Sequence, residues 1–448
     1  MQPEETQRNG RRSSTKTNHC WLRRLSLSVA VGLFSTFIAP AQPSATSLTS
    51  DSLVRRQLDS FGITFTQGNS IELIFSGKKK FERMFADIRQ ARHSVHLEYF
   101  NFRNDSIASL LFDILCEKRR QGVEVRALFD GFGNDSNNQP LLKHHLRKLR
   151  DEGIDIYEFD PIRFPYINHI WPRDHRKIVV IDGKIAYTGG MNVADYYING
   201  TEQVGEWRDM HCRLQGPVVN QLQHIMLRMW QKVAGEDLTQ QRQYYQGRPV
   251  ASNTPSCPLA IVNREPGGTV DTRGRVLGQC DAMRHFYLAA IDNAQDSLMI
   301  VNPYFTLTPA LYRALKRAIR RGVKVRILVS AKSDVPVIPD IVGYNVHRLM
   351  RHGAEVWYYE PGFHHSKVMT VDGRFCTVGS ANLDARGMRY DYECNTVVLD
   401  RGTTLQIDSM FQADKQHSFR LTQEKWRQWR NPWQRFRGKL AYLLRFLL

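Results

Sequence analysis

The segment HRKIVVIDGKIAYTGGMN (residues 175–192) returns further along the chain as HSKVMTVDGRFCTVGSAN (residues 365–382). Both copies fit one pattern, H-x-K-x4-D-x6-G-[GS]-x-N. A histidine and a lysine two residues apart on a strand point to the same face, and the apolar residues after them form the buried strand that holds this face rigid. The Asp-Gly pair fits a tight hairpin turn, and the later glycine lets the backbone approach an anion closely. Each copy therefore predicts a hairpin that presents an imidazole, an ammonium and an amide to one phosphate.

The sequence outside the two motifs repeats as well. Residues 119–128 (RRQGVEVRAL) are echoed by residues 320–328 (RRGVKVRIL). In each copy an apolar strand precedes a helical pattern, a glycine ends that pattern, and a buried strand follows at residues 123–129 or 323–329. The order strand–helix–strand indicates an α/β fold with parallel strand pairs. We predict two similar halves, residues 46–245 and 246–415, and interpret the polar stretch 234–268 as the linker between them.

Two such units suit the cleavage of a phosphodiester. One histidine attacks phosphorus and forms a phosphohistidine, while the other protonates the departing alcohol and then activates the incoming alcohol or water. The lysines and asparagines neutralise the charge on the equatorial oxygens. Because no carboxylate or thiolate cluster has metal-ligand spacing, we expect no metal and no other cofactor. The candidates are His175, Lys177, Asp182, His365, Lys367 and Asp372 for catalysis, and Asn192, Ser380 and Asn382 for binding the phosphate.

A lone H-x-K on a strand is usually an exposed surface pair, but the same six positions found twice inside a repeat argue against coincidence. The paired motifs resemble those of the phospholipase D superfamily over roughly residues 70–415. Further segments, such as FDGFG at 129–133 and WRDMH at 207–211, are similar to bacterial cardiolipin synthases. The resemblance implies two α/β halves about a pseudo-twofold axis, each a mixed β-sheet flanked by helices, with the active site at their junction.

The resemblance also implies roles for single residues. It implies that Asp209 and Glu393 orient the histidines, although Asp209 also fits a surface ion pair with the arginine before it. It favours His175 as the nucleophile and His365 as the acid, which the symmetry of the sequence leaves undecided. The two motif aspartates then look more like turn and scaffold residues than proton carriers. Many family members have serine where this chain has Gly190, so one hydroxyl near the phosphate is missing.

The charge and the two chain ends bear on the nature of the phosphodiester. The chain has 62 Lys+Arg against 44 Asp+Glu, a net charge of +18, which favours an anionic partner. Residues 416–448 interleave aromatic and basic residues and end in an apolar run, which is typical of a helix lying on an anionic membrane. The alternative is a helix packed on the protein's own core. Residues 1–45 fit a signal peptide or a single N-terminal anchor, whereas cardiolipin synthases commonly have two N-terminal spans.

We therefore expect phosphatidylglycerol and the membrane surface as partners, at a bacterial inner membrane, with the body anchored, peripheral or exported. The leading hypothesis is a transferase that joins two phosphatidylglycerols into cardiolipin and glycerol. A phospholipase D-type hydrolase, with water as the acceptor, is the alternative. A nuclease is disfavoured because DNA needs neither membrane-suited end, so we expect no nucleic acid, and we predict no protein partner. The aromatic stretch 159–171 fits either an entrance for acyl chains or a lid over the sheet.

Overall fold

The computed structural model describes residues 48–162, 172–267, 269–270, 276–277 and 281–443. The predicted N-terminal segment 1–45, most of the aromatic stretch and the last five residues lie outside this part of the chain. The strands are β1 Thr66–Ile74, β2 Ser94–Tyr99, β3 Glu124–Asp130, β4 Asp155–Phe159, β5 Ile178–Ile181, β6 Ile185–Gly189, β7 Glu206–Arg208, β8 His211–Gln215, β9 Cys257–Arg264, β10 Thr269–Val270, β11 Val276–Leu277, β12 Ser297–Val301, β13 Lys324–Ser330, β14 Glu355–Tyr359, β15 Gly362–His364, β16 Val368–Val371, β17 Phe375–Gly379, β18 Glu393–Val398 and β19 Ser418–Arg420.

The α-helices are α1 Ser50–Ser60, α2 Gly77–Arg89, α3 Ser106–Arg120, α4 Gly131–Asp135, α5 Lys143–Asp151, α6 Tyr196–Asn199, α7 Val218–Ala234, α8 Ala282–Asn293, α9 Pro309–Arg320, α10 Ile338–Met350, α11 Arg401–Gln416, α12 Gln423–Trp429 and α13 Pro432–Leu443. A short 3-10 helix at Arg242–Tyr244 and a π-helix at Arg386–Tyr390 complete the helical structure described.

A single mixed sheet of 15 strands runs through the described part of the chain, in the order β19-β14-β13-β12-β16-β17-β18-β9-β1-β8-β6-β5-β2-β3-β4. Read outward from the central antiparallel pair β1 and β9, the two sides have the same strand order, with β19 added at one edge. The predicted strand–helix–strand units pair in parallel, β2 with β3 and β12 with β13, and the strands that follow the motif histidines pair antiparallel with β2 and β12. The prediction of two similar α/β halves is confirmed. Residues 48–448 form one compact unit, and the division at residue 245 stays a prediction.

The stretch 234–268 is not a linker throughout, which corrects that interpretation. Within it, Cys257–Arg264 form β9, which pairs with β18 on one side and with β1 on the other. The run LAIV at residues 259–262 is buried, as expected for a strand covered on both faces. Polar residues on either side of this short apolar run dominate the average composition and conceal the strand. The strand matters because it joins the two halves into one sheet.

Within the described residues, buried apolar side chains form three clusters, and one of them spans the junction between the halves. The first-half cluster lies under α2 and α3, and the second-half cluster lies under α8 and α9. The junction cluster combines side chains from both halves, including Met226 and Trp230 of α7 with Tyr392 and Cys394. Close packing of this kind leaves little freedom for one half to move against the other. Side chains from the two halves can therefore be held at fixed distances in one site.

The C-terminal segment packs partly on the protein's own core. Trp426 of α12 is 5% exposed and belongs to the second-half cluster, and Trp429 packs against it. Arg430 and Arg437 both form ion pairs with Asp340, which is buried on α10. The expectation that the whole segment is a membrane-associating tail is thus wrong for its first two tryptophans, because their rings fill gaps in the core. The outer face of α13 remains exposed.

Candidate active site

The two motif histidines line one cavity at the junction of the halves. His175 lies just before β5 and His365 just before β16, which occupy equivalent places in the sheet. The cavity formed by the described residues has a volume of about 530 Å³ and is lined from both halves. Phe100 lies edge-on to His175 with 5.2 Å between ring centroids, and Tyr304 lies edge-on to His365 at 5.9 Å. The aromatic neighbours fix the two imidazole planes.

Each histidine is held by a carboxylate from the opposite half. His175 Nδ1 donates to Glu393 Oε1 at 2.9 Å, and His365 Nδ1 donates to Asp209 Oδ2 at 2.7 Å. Both carboxylates are buried. Asp209 does not form the surface ion pair that its neighbour in sequence suggested, because Arg208 pairs with an acid of α11 instead. With Nδ1 bound to the acid, Nε2 is the ring nitrogen left to act on a substrate, and at His365 a lysine amine lies 2.9 Å from it.

Backbone pairing between the halves explains why each acid contacts the histidine of the opposite half. The chain leading to His365 runs beside the chain leading to Asp209, since β15 pairs in parallel with β7 and His365 N donates to Arg208 O at 2.6 Å. In the same way, His175 N donates to Tyr392 O at 3.1 Å. In both cases the acceptor carbonyl belongs to the residue just before the acid. The next side chain along the strand is thereby delivered to the histidine of the other half.

The two motif lysines are buried beside their histidines. Lys177 Nζ donates to His175 O at 2.5 Å, and Lys367 Nζ donates to His365 O at 2.6 Å and lies 2.9 Å from His365 Nε2. Burial, the largest cause, lowers the pKa of Lys177 to about 7 and the pKa of Lys367 to about 8, because it removes the water that stabilises an ammonium. An anionic phosphate held between the histidines would favour the charged form of both groups.

The two motif asparagines lie at equivalent positions on the cavity wall. Asn192 and Asn382 are 5% and 7% exposed, and both line the cavity. The Oδ1 atom of each has no hydrogen-bond partner among the described residues. Since buried polar atoms are nearly always hydrogen-bonded in a working state, each Oδ1 is available to a hydroxyl of a ligand, whereas a phosphate oxygen would accept from the Nδ2 group. Their placement agrees with the predicted binding of a phosphate ester, which stays a prediction.

A buried lysine that the sequence analysis did not identify holds the backbone at Asn192. Lys80 of α2 is fully buried, and its Nζ donates to Met191 O at 3.2 Å and to Asn192 O at 2.9 Å. Lys80 lies in a run of three lysines, which favours an exposed basic stretch. The signal that distinguishes it is helical spacing, because it lies on the stripe of α2 that also buries Met84 and Ile88.

Ser380 is not placed to bind the phosphate, which corrects that expectation. It is fully buried, its hydroxyl donates to Glu393 Oε2, and Cys394 N donates to its Oγ at 3.0 Å. The equivalent Gly190 faces the other acid, and a Cβ atom there would lie 2.2 Å from Asp209 Oδ1. The serine therefore steadies one acid, and the glycine makes room for the other. The physical reason is that both residues directly follow a hairpin strand and face the neighbouring segment that carries the acid.

Asp182 and Asp372 do not line the cavity, so their grouping with the catalytic residues is wrong. Each lies in its hairpin turn with a left-handed backbone, at φ 51° and 53°. Their carboxylates accept backbone N–H groups at the start of the neighbouring strand and tie the turn to the sheet. In each motif a strand separates the histidine from the aspartate, so the aspartate lies at the end of that strand away from the cavity. The donors are Arg92, His93 and Ser94 for Asp182, and Gln295, Asp296 and Ser297 for Asp372.

The two acid–histidine pairs differ in charge. Burial raises the pKa of Glu393 to about 7. Burial also acts upward on Asp209, but the Lys367 ammonium and the His365 imidazole outweigh it and hold the pKa of Asp209 below its ordinary value. Burial lowers the pKa of both imidazoles, and it lowers that of His175 to well below the ordinary value. Asp209 is therefore ionised more readily than Glu393, and its negative charge makes His365 the better suited of the two histidines to hold a proton.

Other groups with the potential for chemistry lie elsewhere or are isolated. His364, adjacent to His365 in sequence, is fully buried and lies 2.9 Å from Asp414 on α11. The cysteines in the described ranges are free and buried. Across those ranges no three His, Cys, Asp or Glu side chains lie close enough together to hold a metal ion.

Comparisons with known proteins agree with this geometry. The family described as "Cardiolipin synthase, PLD-like domain" matches residues 84–230 and 287–415, one segment in each half. A probable cardiolipin synthase of Bacillus subtilis is 34% identical over 355 residues, which cover 79% of this chain and 67% of the relative. A cardiolipin synthase of Oceanobacillus iheyensis is 31% identical over 380 residues, covering 85% of this chain and 75% of the relative. The crystal structure of a phosphatidylserine synthase of Haemophilus influenzae has the same fold, with a TM-score of 0.65 at 16% identity, over 88% of this chain and 100% of that one.

Proposed function

This chain belongs to the cardiolipin synthase family of phospholipase D-like phosphatidyltransferases, and we propose that it moves a phosphatidyl group from one phosphatidylglycerol to another, giving cardiolipin and glycerol. The observation that carries the proposal is one cavity lined by two histidines, each held by a carboxylate of the opposite half. Such a cavity offers a nucleophile on one side of a phosphodiester and a proton donor on the other.

The transfer takes place in two balanced steps. First, Nε2 of His175 attacks phosphorus, the P–O bond to glycerol breaks, and the leaving oxygen takes the Nε2 proton of His365. Second, His365 takes the hydroxyl proton of the acceptor phosphatidylglycerol, whose oxygen attacks phosphorus as the bond from phosphorus to His175 breaks. The motif lysines and asparagines balance the charge that develops on the equatorial oxygens. Both histidines end the cycle as they began it.

The assignment of His175 as nucleophile and His365 as acid rests on the difference between their acids. A nucleophilic imidazole must be neutral, and burial holds the pKa of His175 well below its ordinary value. A general acid must hold a proton, and an ionised carboxylate on Nδ1 stabilises the imidazolium. Asp209, whose pKa is lowered despite its burial, supplies that charge to His365. Glu393, whose burial raises its pKa to about 7, supplies less of it to His175.

The experiment uses the purified full chain in detergent–lipid micelles with labelled phosphatidylglycerol and EDTA. We expect cardiolipin and free glycerol in equal amounts, lost in His175→Ala and in His365→Ala, and kept in His144→Ala, which removes an exposed imidazole of α5. Phosphatidic acid as the main product would identify a hydrolase and contradict the transferase. Cleavage of DNA without turnover of lipid would contradict both and favour the nuclease.

We infer that the outer face of α13 rests on the membrane. In the described part of the chain no helix is long and apolar enough to cross a bilayer. Trp433, Phe436, Leu440 and Leu443 recur at helical spacing on α13 and are 63%, 55%, 52% and 60% exposed. Exposed cations such as Lys439 lie between them. An apolar stripe flanked by cations is the composition of a helix that lies in the headgroup layer of an anionic bilayer. The N-terminal 1–45 segment remains a predicted signal peptide or anchor.

The opposite face of α13 fixes this stripe close to the active site. The backbone of Gly438 lies against Asp340 of α10, so that a Cβ atom there would lie 2.3 Å from Asp340 O. Ile338, at the start of α10, lines the cavity. A bilayer that touches α13 therefore lies beside the helix that borders the cavity, which suits substrates drawn from the membrane.

Flotation with vesicles tests this inference. Replacing Trp433 and Phe436 by alanine removes two rings that are more than half exposed, and we expect binding to vesicles rich in phosphatidylglycerol to fall by about 2–3 kcal/mol, roughly 30–150-fold. The matched control is Leu405→Ala on α11, which removes an apolar side chain that is 45% exposed. Equal binding by the double variant and the control would contradict the role of α13.

A further inference from the structure

We propose that Asp334, Tyr304 and Thr306 form a subsite beside His365 that binds the hydroxyl-rich headgroup alcohol, the glycerol that leaves or the glycerol of the lipid that accepts. This inference rests on the proposed function, because it takes His365 as the acid. It goes further by naming which residues choose among alcohols.

The three residues lie together on the cavity wall. All of them line the cavity that contains both histidines. Tyr304 OH donates to both carboxylate oxygens of Asp334 at 2.7 Å, and the Tyr304 ring lies 5.9 Å from the His365 ring. Tyr304 follows β12, and Asp334 follows β13, the parallel neighbour of β12. Side chains that follow adjacent parallel strands meet at one edge of the sheet, where ligands commonly bind.

Thr306 offers the cavity a hydroxyl that no described protein group satisfies. It is 1% exposed, it lines the cavity, and its Oγ1 has no hydrogen-bond partner among the described residues. A buried hydroxyl without a partner is unfavourable, and in working proteins such groups are nearly always satisfied. A hydroxyl of a bound alcohol supplies the partner. The carboxylate of Asp334 also retains lone pairs, since Oδ2 accepts only from Tyr304 and Oδ1 accepts from Tyr304 and from Ser333 Oγ at 3.4 Å.

The two ends of the cavity differ although the halves are equivalent in fold. At His175 the edge-on aromatic residue is Phe100, with no hydroxyl and with Phe132 also on the wall. At His365 the edge-on residue is Tyr304, whose hydroxyl is held by a carboxylate. Since the fold tolerates a phenyl ring in this position, packing does not demand the polar pair at His365.

The reaction places the alcohol at the His365 end of the cavity. The leaving oxygen must lie within hydrogen-bond distance of the acid that protonates it, and the acceptor hydroxyl must later lie at the same nitrogen. The headgroup attached to that oxygen therefore extends into the part of the cavity around His365. A glycerol headgroup has a second and a third hydroxyl, and a carboxylate with an adjacent unpaired hydroxyl suits them. A simple alcohol with one hydroxyl leaves Thr306 Oγ1 without a partner and the remaining lone pairs of Asp334 unused.

The test measures a product ratio within one reaction mixture. The full chain in micelles receives phosphatidyl-p-nitrophenol as donor, so that the donor's own headgroup does not need the subsite, and glycerol, 1-propanol and ethanolamine compete as acceptors. We expect wild type to form phosphatidylglycerol over phosphatidylpropanol by about tenfold or more, since a lost hydrogen bond to a charged group has at least that effect. In Asp334→Asn and Thr306→Val we expect this preference to fall by about tenfold or more and by a few-fold, respectively. The ratio does not depend on how much of a variant folds.

Asp113→Asn is the matched control, because it removes an exposed carboxylate of α3, and it should keep the wild-type ratio. An unchanged ratio in Asp334→Asn would overturn the subsite, and so would a wild-type enzyme that prefers ethanolamine, whose ammonium would then be the group that Asp334 binds. Failure of the proposed function has a different appearance: wild type would form phosphatidic acid and no transfer product from any acceptor, or would release no p-nitrophenol at all.

Discussion

The exchange of acids between the halves makes Asp209→Asn the most informative substitution. Asp209 lies in the first half with His175, but its carboxylate contacts His365, at 2.7 Å. If Asp209 orients His365, replacing its carboxylate by an amide should give the defect of a missing general acid. If each acid served the histidine of its own half, the same substitution would give the defect of a missing nucleophile.

The size of the effect follows from burial. Asp209 and His365 are 2% and 6% exposed. Removing one partner of a buried charged pair costs about 3–5 kcal/mol, and about 1.4 kcal/mol changes a rate tenfold. Because the imidazolium exists only while His365 holds the proton for transfer, we expect the turnover of phosphatidylglycerol to fall by about 10²–10⁴, the range of a lost general acid.

The assay compares two donors in a single turnover. p-Nitrophenol leaves without protonation, so Asp209→Asn should still release about one p-nitrophenol per active site from phosphatidyl-p-nitrophenol and then stop, with phosphohistidine accumulating. Glu393→Gln should lose this burst as well, because Glu393 holds the nucleophile. Thermal unfolding of both variants checks that each is folded. Loss of the burst in Asp209→Asn together with its retention in Glu393→Gln would refute the exchanged pairing.

Three further predictions concern the same structure. In substrate-free enzyme burial lowers the pKa of Lys177 to about 7 and that of Lys367 to about 8, so kcat/KM should fall as pH rises through these values and the ammonium groups are lost. Replacing both lysines by arginine should move this fall to higher pH, and an unmoved alkaline limb would assign it to another group. Gly190→Ala should lower activity about as much as Asp209→Asn while the protein stays folded, because the new Cβ would lie 2.2 Å from Asp209 Oδ1; wild-type kcat would contradict this. Asp340→Ala should speed hydrogen exchange in α13, since it leaves Arg430 and Arg437 without their shared partner, and exchange at the wild-type rate would show that other contacts hold the helix.

Local sequence patterns determined much of this protein. The repeated motif, with its histidine and lysine two positions apart and an Asp-Gly turn after the apolar run, predicted both hairpins and the histidines on one face of them. Those features depend on neighbours a few residues apart, so periodicity and turn chemistry are enough to predict them. The helix before each glycine and the strand after it were predicted for the same reason. Resemblance then supplied Asp209 and Glu393 as the orienting acids.

Tertiary structure decided which acid serves which histidine. The chain order puts Asp209 after His175 and Glu393 after His365, and only the parallel pairing of β7 with β15, and its counterpart at Tyr392, crosses them. It also turned Ser380 toward Glu393. Contacts between segments far apart in sequence depend on how the two halves of the sheet join, and no local pattern encodes that.

The C-terminal segment shows the same division. Its composition predicted an amphipathic helix, but composition does not tell which side is covered. Packing on α10 and the core buried Trp426 and left Trp433 exposed. The sequence thus specified which side chains are chemically able to act, and the meeting of the two halves specified which of them act together, because proximity in space is set by the long-range pairing of strands and not by order along the chain.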